Sequence, residues 1–533
     1  MRYVAFLLSI VGAVTAFALA PLAGQWLLWV ASVFAVLVAI GVWDMIQTKH
    51  ALRRNYPILA NLRFILEKVR PEIRQYFLES DLDGTPFNRA KRAIVYQRAK
   101  LELETRPFGT QKDVYASGFE WLAHSLAPAK VENHDFRVMV GGPDCAQPYS
   151  ISLFNISAMS FGSLSANAIR ALNKGARMGG FAHDTGEGGY SRHHREFGGD
   201  IIWEIASGYF GCRDPDGAFN AETFATSARL PQVKMIEIKL SQGAKPGHGG
   251  VLPGRKVTAE IAAARAVPVG VDCVSPAAHS AFSTPMEMMG FIRRLRELSG
   301  GKPVGFKLCI GHKVEFMAIC KAMLDSGVTP DFIVIDGKEG GTGAAPMEFA
   351  DHIGFPLREG LTFAHNCLVG AGLRDRIRLG ASGRIITAFD IARTLALGAD
   401  WCNSARGFMF AVGCVQSLAC HTDHCPTGVA TQDPMRQRAV VVPDKAERVA
   451  RFHARTLSAL GELMAAAGLE HPNDVRRDQI MRRVSPTRVE CFADAYPELK
   501  PGCLTRDDAP PEYAALWAMA SAGSFHSARP VGI

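Results

Sequence analysis

The sequence predicts an α/β protein, a (β/α)8 TIM barrel with an N-terminal transmembrane helical hairpin and further helical additions. Between residues 150 and 430, short apolar segments alternate with helical segments of about 10–15 residues, the rhythm of parallel βα units. Roughly eight such units occur, and the apolar segments end in glycine and polar residues, as the catalytic face of a barrel requires. The chain from Tyr3 to Trp43 carries no charged residue, which predicts a separate membrane segment.

The composition favours a folded enzyme and excludes two other classes. The chain has 533 residues, of which 48% are hydrophobic, and a formal net charge of +8. Its basic residues are spread out rather than clustered with aromatics, so we expect no nucleic-acid partner. The twelve cysteines do not form a secreted disulfide framework, because a chain of this size needs no such staples. Most of them stand singly in apolar segments, as buried small side chains do.

The uncharged N-terminal region is too long for one membrane span of roughly 20 residues. The segment APLAG at 20–24 divides it into two expected helices, about 3–20 and 25–43, so that residues 1–45 form a hairpin. Lys49, Arg53 and Arg54 follow the second helix, which predicts the cell (inner) membrane with a cytoplasmic catalytic domain. The alternative is a signal peptide cleaved near Ala20, but the second apolar run favours the anchor.

The rest of the chain divides into three further segments. Residues 46–140 are expected to form a helical connector, 141–440 the barrel, and 441–533 a helical and irregular extension. In the connector, LANLRFILEKVRPEIRQYFLE carries an apolar stripe at helical spacing that includes Leu62, Ile65, Leu66 and Val69. Pro71 predicts a break in this helix.

The barrel elements follow one another in order. SISLFNISAMSFG predicts the first strand, and SANAIRALNKGARMGG the helix after it, which ends at Gly179–Gly180. The later strand and helix segments are KMIEIKLSQGAKPG, VGVDCVSP, PMEMMGFIRRLRELSGG, PVGFKLCIG, KVEFMAICKAMLDSG, DFIVIDGKEGGTG, a long helix around 357–375, IRLGASGRI, TAFDIARTLALGA and DWCNSARG. A doubly wound sheet would place its nucleotide loop at the first turn, whereas glycine-rich loops here recur at many strand ends.

Three late loops predict a phosphate site. They are 337–346, 380–385 and 402–407, and they follow consecutive strands. Barrels commonly bind phosphate through bare backbone N–H groups after their last strands, and glycine allows that close approach. Arg384 and Arg406 would add positive charge. Ordinary turn glycines are the alternative for any one loop.

Lysines in and after two strands predict contacts with anions. Lys307 lies in an apolar strand, where burial is costly unless an anion meets its ammonium group, such as the N1–C2=O region of a reduced flavin or an acid substrate. Lys239, Gln242 and Lys245 stand at another strand end and suit a carboxylate. The alternative is that these two lysines lie on the surface.

Cys414, Cys420 and Cys425 form the one close cysteine group, with spacing C-x5-C-x4-C. Zinc would need a fourth ligand, which His421 or His424 could supply. A disulfide is disfavoured in a cytoplasmic domain. Three thiolates followed by proline suit an iron–sulfur cluster that lacks one iron.

The ordered motifs SAMSFGSLS, HDTGEGG, KLSQGAKPGHGGVLPG, GGTGAAP and GCVQSLACHTDHCPTGVATQ resemble those of the FMN-binding synthase domain of glutamate synthase. They span roughly 150–435. The match is closest to the short, stand-alone FMN-binding glutamate synthase family proteins, and it includes RPFGTQKDVYASGFEWL at 106–122. The resemblance implies a barrel that holds FMN beside a 3Fe–4S cluster. It implies reduction of the imine of 2-oxoglutarate and ammonia to L-glutamate by hydride transfer from FMN.

The resemblance also implies roles for particular residues. The cluster ligands would be Cys414, Cys420 and Cys425, with His421 and His424 as flanking residues. The 2-oxo acid would contact Gln242, Lys239, Lys245 and Glu187. The FMN contacts implied are Ala158, Met159, Ser160, Gln242, Lys307, Gly341, Thr342, Gly343, Gly383, Arg384, Arg406 and Gly407.

Departures from the family pattern bear on the partners. A membrane hairpin stands where complete glutamate synthases begin with a glutaminase domain, so we expect a separate glutaminase subunit or free ammonia as the nitrogen source. No GxGxxG segment follows a strand and opens a helix, so we expect an external electron donor, ferredoxin or a partner subunit. Basic residues at 192–195 follow TGEGG, where the family often has an acid. A flavin dehydrogenase or reductase for another amino or oxo acid, and a non-catalytic barrel, are the alternatives.

Overall fold

The computed structural model describes residues 2–506 and 508–526, which divide into two compact units. One unit ends at Pro86, and the other begins at Phe87. The first contains helices α1 (Val4–Ala23), α2 (Trp26–Ile46), α3 (Ala51–Asn55) and α4 (Leu59–Ile73), followed by a π-helical turn at Arg74–Leu78.

Helices α1 and α2 pack against each other as the predicted hairpin. They have 20 and 21 residues and are long and apolar enough to cross a membrane, a test that a signal sequence also passes. Helix α1 continues through Pro21, and the turn lies at Gly24, whose φ of 114° favours glycine. The two apolar helices suggest a membrane anchor or a signal sequence.

The predicted break at Pro71 is wrong. Helix α4 runs through Pro71 to Ile73, and the chain then continues as the π-helical turn. Proline removes one backbone donor, but its position in the last turn means that few intrahelical bonds are affected. The wider π-helical turn accommodates the remaining disruption.

The second unit is built around fifteen strands in its described residues. In chain order these are β1 (Glu120–Leu122), β2 (Arg137–Val140), β3 (Tyr149–Ser152), β4 (Phe154–Ile156), β5 (His183–Asp184), β6 (Ile201–Ile205), β7 (Val233–Lys239), β8 (Val251–Leu252), β9 (Cys273–Val274), β10 (Val304–Leu308), β11 (Phe332–Asp336), β12 (Arg378–Ser382), β13 (Trp401–Ser404), β14 (Ile480–Ser485) and β15 (Arg488–Cys491). Eight of them close a parallel barrel in the order β4-β5-β6-β7-β10-β11-β12-β13, with β13 paired to β4. The predicted (β/α)8 barrel is confirmed.

The helices of this unit surround the barrel or extend from it. They are α5 (Arg89–Lys100), α6 (Ala166–Gly179), α7 (Arg192–Arg195), α8 (Ala221–Ala228), α9 (Ala259–Arg265), α10 (Pro285–Leu298), α11 (Lys313–Ser326), α12 (Met347–His352), α13 (Leu357–Gly370), α14 (Ala388–Ala396), α15 (Arg406–Ala411), α16 (Pro434–Gln437), α17 (Val442–Ala466), α18 (Phe492–Ala495) and α19 (Pro511–Met519). The C-terminal segment also contributes β14 and β15, which form a sheet with β1.

Local sequence explains where the barrel elements begin and end. Strands β6, β10 and β11 are buried along their whole length, as expected of parallel strands covered on both faces. Side-chain caps at Ser165, Thr284 and Thr387 start α6, α10 and α14. Helix α6 ends at Gly179, and the capping residue Gly180 has a φ of 66°, which confirms the predicted stop.

Two predicted elements differ from the structure. VGVDCVSP is not a barrel strand, because only Cys273–Val274 is extended and it pairs antiparallel with β8. Both short strands lie in the long connection from β7 to its barrel neighbour β10. The helix expected around 357–375 ends at Gly370 and is followed by a separate 3-10 turn at Arg374–Arg376.

Candidate active site

The candidate site lies at the carboxyl ends of the barrel strands. The loops after β4, β5, β7, β11, β12 and β13 carry most of the residues singled out from the sequence. Lys239 is the last residue of β7, and Lys307 lies within β10. Because the eight strands are parallel, their carboxyl ends meet at one face of the barrel, where barrel enzymes place their chemistry.

Glu187 is surrounded by positive charge. The Nζ atom of Lys239 lies 2.7 Å from Oε2 of Glu187, with both side chains largely buried. Burial raises the pKa of Glu187, but the charges of Lys239, Lys245 and Arg265 outweigh it and lower that pKa to about 2. Lys245 is itself buried, and burial lowers its pKa. The group is therefore one carboxylate among three cations, a surplus of positive charge at the mouth of the barrel.

Arg265 was missed by sequence reasoning. It is the last residue of α9, where an arginine ordinarily points to solvent, so its position in the sequence carries no signal. Its side chain is only 3% exposed, and Nη2 donates to the carbonyl oxygen of Phe161 at 3.2 Å. Among the described residues, its Nε atom has no hydrogen-bond partner. A buried donor without a partner is costly, so this guanidinium suits an anionic ligand.

The loop with Gln242 lies against the loop after β11. A Cβ atom at Gly243 would lie 1.7 Å from the carbonyl oxygen of Gly337, so only glycine permits this approach. The N–H of Gly243 donates to Oδ2 of Asp336 at 2.8 Å. Gln242 and Lys245 are joined by a backbone hydrogen bond of 3.3 Å. The Gln242 loop is thus fixed beside the first of the predicted phosphate loops.

The segment Ala158–Ser160 lies against the loop that carries Glu187. A Cβ atom at Gly186 would lie 2.7 Å from the backbone nitrogen of Ser160 and 2.9 Å from that of Met159. Gly186 also has a φ of 65°, which favours glycine. The structure therefore brings the predicted flavin segment beside the predicted substrate residue.

The predicted phosphate loops also meet. A Cβ atom at Gly341 would lie 2.7 Å from Nε of Arg406, whose Nη2 donates to the carbonyl oxygen of Glu339 at 2.6 Å. Burial lowers the pKa of Arg406 to about 10, and the charge of Arg384 adds to that effect. Two arginines that repel each other beside glycine-lined backbone fit a phosphate dianion.

Other members of the phosphate group lie in the same loops. Thr342 Oγ1 donates to the carbonyl oxygen of Ala344 at 3.2 Å. A Cβ atom at Gly343 would lie 2.9 Å from Oγ of Ser163, in the loop after β4. Gly383 follows β12 directly, and Gly407 is the second residue of α15, the helix after β13. This arrangement fits the phosphate-bearing end of FMN.

Lys307 has anionic partners within the protein. Its Nζ atom pairs with Glu204 and lies 3.5 Å from Oε1 of Glu237. With Asp184, these carboxylates are the only trio of His, Cys, Asp or Glu in the described ranges whose ligand atoms all lie within 4.8 Å of one another. Burial lowers the pKa of Lys307, but the carboxylates raise it well above its ordinary value. That Lys307 also contacts the flavin stays a prediction.

Two of these three carboxyl groups, Asp184 and Glu237, have raised pKa values. Burial and the charge of Asp184 raise the pKa of Glu237 well above its ordinary value. Burial and Glu204 raise the pKa of Asp184 to about 7. Each of these acids stands alone in its strand segment, where a single carboxylate is ordinarily expected to face solvent. The sequence therefore did not predict this cluster. It forms a polar layer inside the barrel.

Cys414, Cys420 and Cys425 are close enough to influence one another. Burial raises the pKa of Cys414 to about 12, and the charges of Cys420 and Cys425 add to that rise. Lys256, which is buried, donates from Nζ to the carbonyl oxygen of Cys420 at 3.0 Å. Arg255 donates to the carbonyl oxygen of the next residue at 3.0 Å. The loop is held by two cations beside three thiols.

The spacing of these thiols bears on zinc. A tetrahedral zinc ion holds its ligand atoms about 4 Å apart. Within the described parts of the chain, no trio that includes these cysteines or the neighbouring histidines has its ligand atoms all within 4.8 Å. This donor set suits a cluster that binds each thiolate through a different iron better than it suits a single ion.

Comparisons with known proteins place the chain among relatives. A family model described as a conserved region in glutamate synthase matches residues 125–470. A Bacillus subtilis glutamate synthase large subunit-like protein, YerD, is 37% identical over 500 residues, which covers 85% of this chain and 95% of that protein. An archaeal glutamate synthase [NADPH] from Methanocaldococcus jannaschii is 37% identical over 328 residues, 61% of each chain. Among solved structures, a flavocytochrome b2 mutant with pyruvate bound is similar at a TM-score of 0.42 and 12% identity, covering 79% of this chain and 85% of that one.

Proposed function

The chain belongs to the glutamate synthase family and is an oxidoreductase, and on that premise we propose that it reduces 2-oxoglutarate plus ammonia to L-glutamate with FMN and a 3Fe–4S cluster. The observation that carries this proposal is the group of Lys239, Lys245 and Arg265 around Glu187. Three cations and one carboxylate leave a net charge of about +2 there, which matches a dicarboxylate oxo acid.

Each charged residue of this group has a part in binding. Lys239 and Lys245 bind the carboxylates of the oxo acid, and Arg265 contributes its Nε donor, which has no hydrogen-bond partner within the described parts of the chain. A planar guanidinium can bind a carboxylate through two parallel hydrogen bonds, which fixes the orientation of the substrate as well as its position. Gln242, in the same loop as Lys245, is placed to bind the carbonyl or imine end.

Glu187 accepts a proton from the nitrogen substrate. Its carboxylate is ionised in the free protein, because the surrounding cations hold its pKa near 2. An ammonium ion is attracted to that carboxylate. When the oxo acid occupies Lys239 and Lys245, their charges are neutralised, the proton affinity of Glu187 rises, and Glu187 takes a proton from ammonium, leaving ammonia as the nucleophile.

The cofactors would be held by two sets of residues. Ala158, Met159 and Ser160 support the flavin ring, and the loops with Arg384 and Arg406 bind its phosphate. Cys414, Cys420 and Cys425 hold the cluster. When bound, FMN supplies the hydride that reduces the imine, and the cluster supplies single electrons. Lys245 and Arg265 are themselves buried, so an oxo acid bound to them would be screened from water.

Partners complete the proposal. We propose an external electron donor, ferredoxin or a partner subunit, and ammonia that is free or comes from a separate glutaminase. Helices α1 and α2 would anchor the protein in the cell (inner) membrane with the catalytic unit in the cytoplasm.

The basic residues at 192–195 suggested an alternative substrate, which is another amino or oxo acid. Three of these residues, Arg192, His193 and Arg195, line a surface depression of about 690 Å³ that also includes Glu196 and Glu260. None of Glu187, Lys239 and Lys245 lines it. The feature that suggested another substrate therefore lies outside the cation group.

The deciding experiment uses the purified full-length protein with an artificial one-electron reductant. We expect glutamate formation from 2-oxoglutarate and ammonium, and 2-oxoglutarate should perturb the flavin spectrum at lower concentration than pyruvate or 2-oxobutyrate. A reducible flavin that forms no glutamate but reduces another oxo acid would favour the alternative. A protein with neither flavin nor iron absorbance would support the non-catalytic barrel.

A further inference from the structure

One face of helix α4 and of the turn after it exposes large apolar side chains without cover. Its members, here called the outer face of α4, are Leu62, Ile65, Leu66, Val69 and Phe77. The first four follow the i, i+3, i+4, i+7 spacing that places side chains on one side of a helix. Leu62 and Ile65 are 59% and 58% exposed, and Phe77 is 82% exposed. A contiguous apolar patch of this kind marks an interaction surface.

The opposite face of α4 is held by α2 and α3. Asp44, in the last turn of α2, is 1% exposed, and its Oδ2 atom accepts from the backbone N–H of Ile58 at 2.9 Å and from the side chain of Asn61. The guanidinium of Arg53 lies 4.4 Å from the ring of Phe64. These contacts fix the start of α4 beside the end of α2, and they leave the outer face directed away from them.

Positive charge borders the outer face. Arg63, Arg70 and Arg74 are spaced at i, i+7 and i+11, so they follow one edge of the apolar stripe. Between residues 49 and 79 the chain has seven lysines and arginines and three glutamates. Arg70 lies 3.8 Å from Glu67, and Arg74 lies 2.9 Å from Glu79, whereas Arg63 has no ion pair among the described residues. An apolar stripe with a basic edge is typical of a helix that lies in a membrane interface.

We propose that the outer face of α4 lies in the headgroup region of an anionic lipid bilayer. This inference rests on the proposed membrane hairpin. A bilayer is the occupant because Asp44 fixes the start of α4 at the end of the second apolar helix, the level at which a span leaves the hydrocarbon core. Apolar side chains at that depth enter the acyl boundary, and the bordering arginines meet lipid phosphates.

The test places a small fluorescent amino acid at single positions of the full-length protein in phosphatidylcholine vesicles, with and without phosphatidylglycerol. Ile65 reports on the outer face, and Lys68, also exposed but outside the stripe, is the matched control. Leu8, exposed on α1, reports on the hairpin itself. Brominated lipid quenches a probe in the bilayer, and acrylamide quenches a probe in water.

We expect brominated lipid to quench the probes at Leu8 and Ile65 at least twofold more than the probe at Lys68, and acrylamide to show the reverse order. The inference would be overturned if acrylamide quenched the Ile65 probe or if neither quencher reached it. If neither quencher reached it and this shielding depended on the number of protein molecules per vesicle, a second copy of the chain would cover the face instead of lipid. If Leu8 is quenched by brominated lipid while Ile65 is not, the hairpin stands and only this inference fails.

A second variant tests the lipid charge. Replacing the three border arginines, as Arg63→Gln, Arg70→Gln and Arg74→Gln together, leaves the apolar stripe intact. In the parent protein, phosphatidylglycerol should increase the quenching of the Ile65 probe by brominated lipid. In this variant, that increase should be at least twofold smaller. Equal quenching with and without phosphatidylglycerol in the parent protein would overturn the anionic-lipid part of the proposal.

Discussion

The ammonium group of Lys239 lies 2.7 Å from the carboxylate of Glu187, and the two residues come from neighbouring parts of the barrel mouth, 52 positions apart in the chain. The pair joins the end of β7 to the loop after β5. It is also the point at which substrate binding and proton transfer meet in the proposed reaction.

Replacing Lys239 should weaken substrate binding. Lys239→Met removes a charge-assisted hydrogen bond, which is worth about 1.5–3 kcal/mol, so we expect the KM for 2-oxoglutarate to rise about 10- to 100-fold. Lys234→Met, near the start of the same strand, is the matched control and should leave KM unchanged. An unchanged KM in Lys239→Met would remove Lys239 from the binding group.

Replacing Glu187 should affect turnover more than binding. Glu187→Gln keeps the shape but cannot accept a proton, so kcat should fall about 10²- to 10⁴-fold. Because cations lower the pKa of Glu187 to about 2 in the free protein, the carboxylate is ionised throughout pH 5–8. The ratio of wild-type to variant kcat/KM should therefore be constant over that range. A ratio that shrinks as the pH falls would contradict the low pKa.

Gly243 should not tolerate a side chain. In Gly243→Ala the new Cβ would meet the carbonyl oxygen of Gly337 at 1.7 Å, so the two loops must separate. We expect loss of at least about 1–3 kcal/mol of stability and a lower FMN content per chain, measured by denaturant unfolding and flavin absorbance. Gly311→Ala is the control, because a Cβ there meets no described atom within 4 Å. Equal flavin content in the two variants would argue against the loop contact as part of the site.

The three clustered cysteines should be needed for iron. Separate replacement of Cys414, Cys420 and Cys425 by serine should lower the iron content per chain and bleach the visible band of the cluster. Cys491→Ser, a half-exposed cysteine of β15, should keep both. Retention of zinc rather than iron in the wild-type protein, measured by elemental analysis after anaerobic purification, would refute the cluster assignment.

Removal of Lys307 should destabilise the barrel. Lys307→Met leaves the Glu204 carboxylate without its buried counter-ion, which costs about 3–5 kcal/mol in comparable ion pairs. Adding Glu204→Gln removes one uncompensated charge, so the double variant should recover part of that loss. The midpoint of urea unfolding measures both. Additive losses in the double variant would mean that the two side chains do not interact.

The alternation of strands and helices, and the glycine-rich strand ends, were sufficient to predict the barrel. The short strand β5 is visible only through its pairing, since His183–Asp184 has no apolar run. VGVDCVSP has the composition of a strand, but it lies in the connection from β7 to β10. Whether a segment enters the barrel is decided by the segments that pair with it in space and not by its own residues. Propensity alone does not contain that information.

The candidate site was predictable where a residue follows a strand end and less so elsewhere. Lys239 and Lys245 were singled out because they stand at the end of an apolar strand and in the polar loop after it, whereas Glu187 follows the short strand β5 and was implied only by the family resemblance. Arg265 could not be predicted, because the local sequence of an arginine at a helix end is the same whether its side chain points into the protein or into solvent. The carboxylate partners of Lys307 come from three other strands, and the distance between strands is set only by closure of the barrel.

The short helix α15 has a consequence for how the protein matures. Arg406 begins this helix, and Cys414 follows its end, with the N–H of Cys414 bonded to the carbonyl oxygen of Met409 at 2.9 Å. The residue proposed to bind the flavin phosphate and a proposed cluster ligand thus lie at opposite ends of one short helix. Iron insertion and flavin retention should therefore be linked steps of biogenesis, and cells short of iron should accumulate a chain that has also lost its yellow colour.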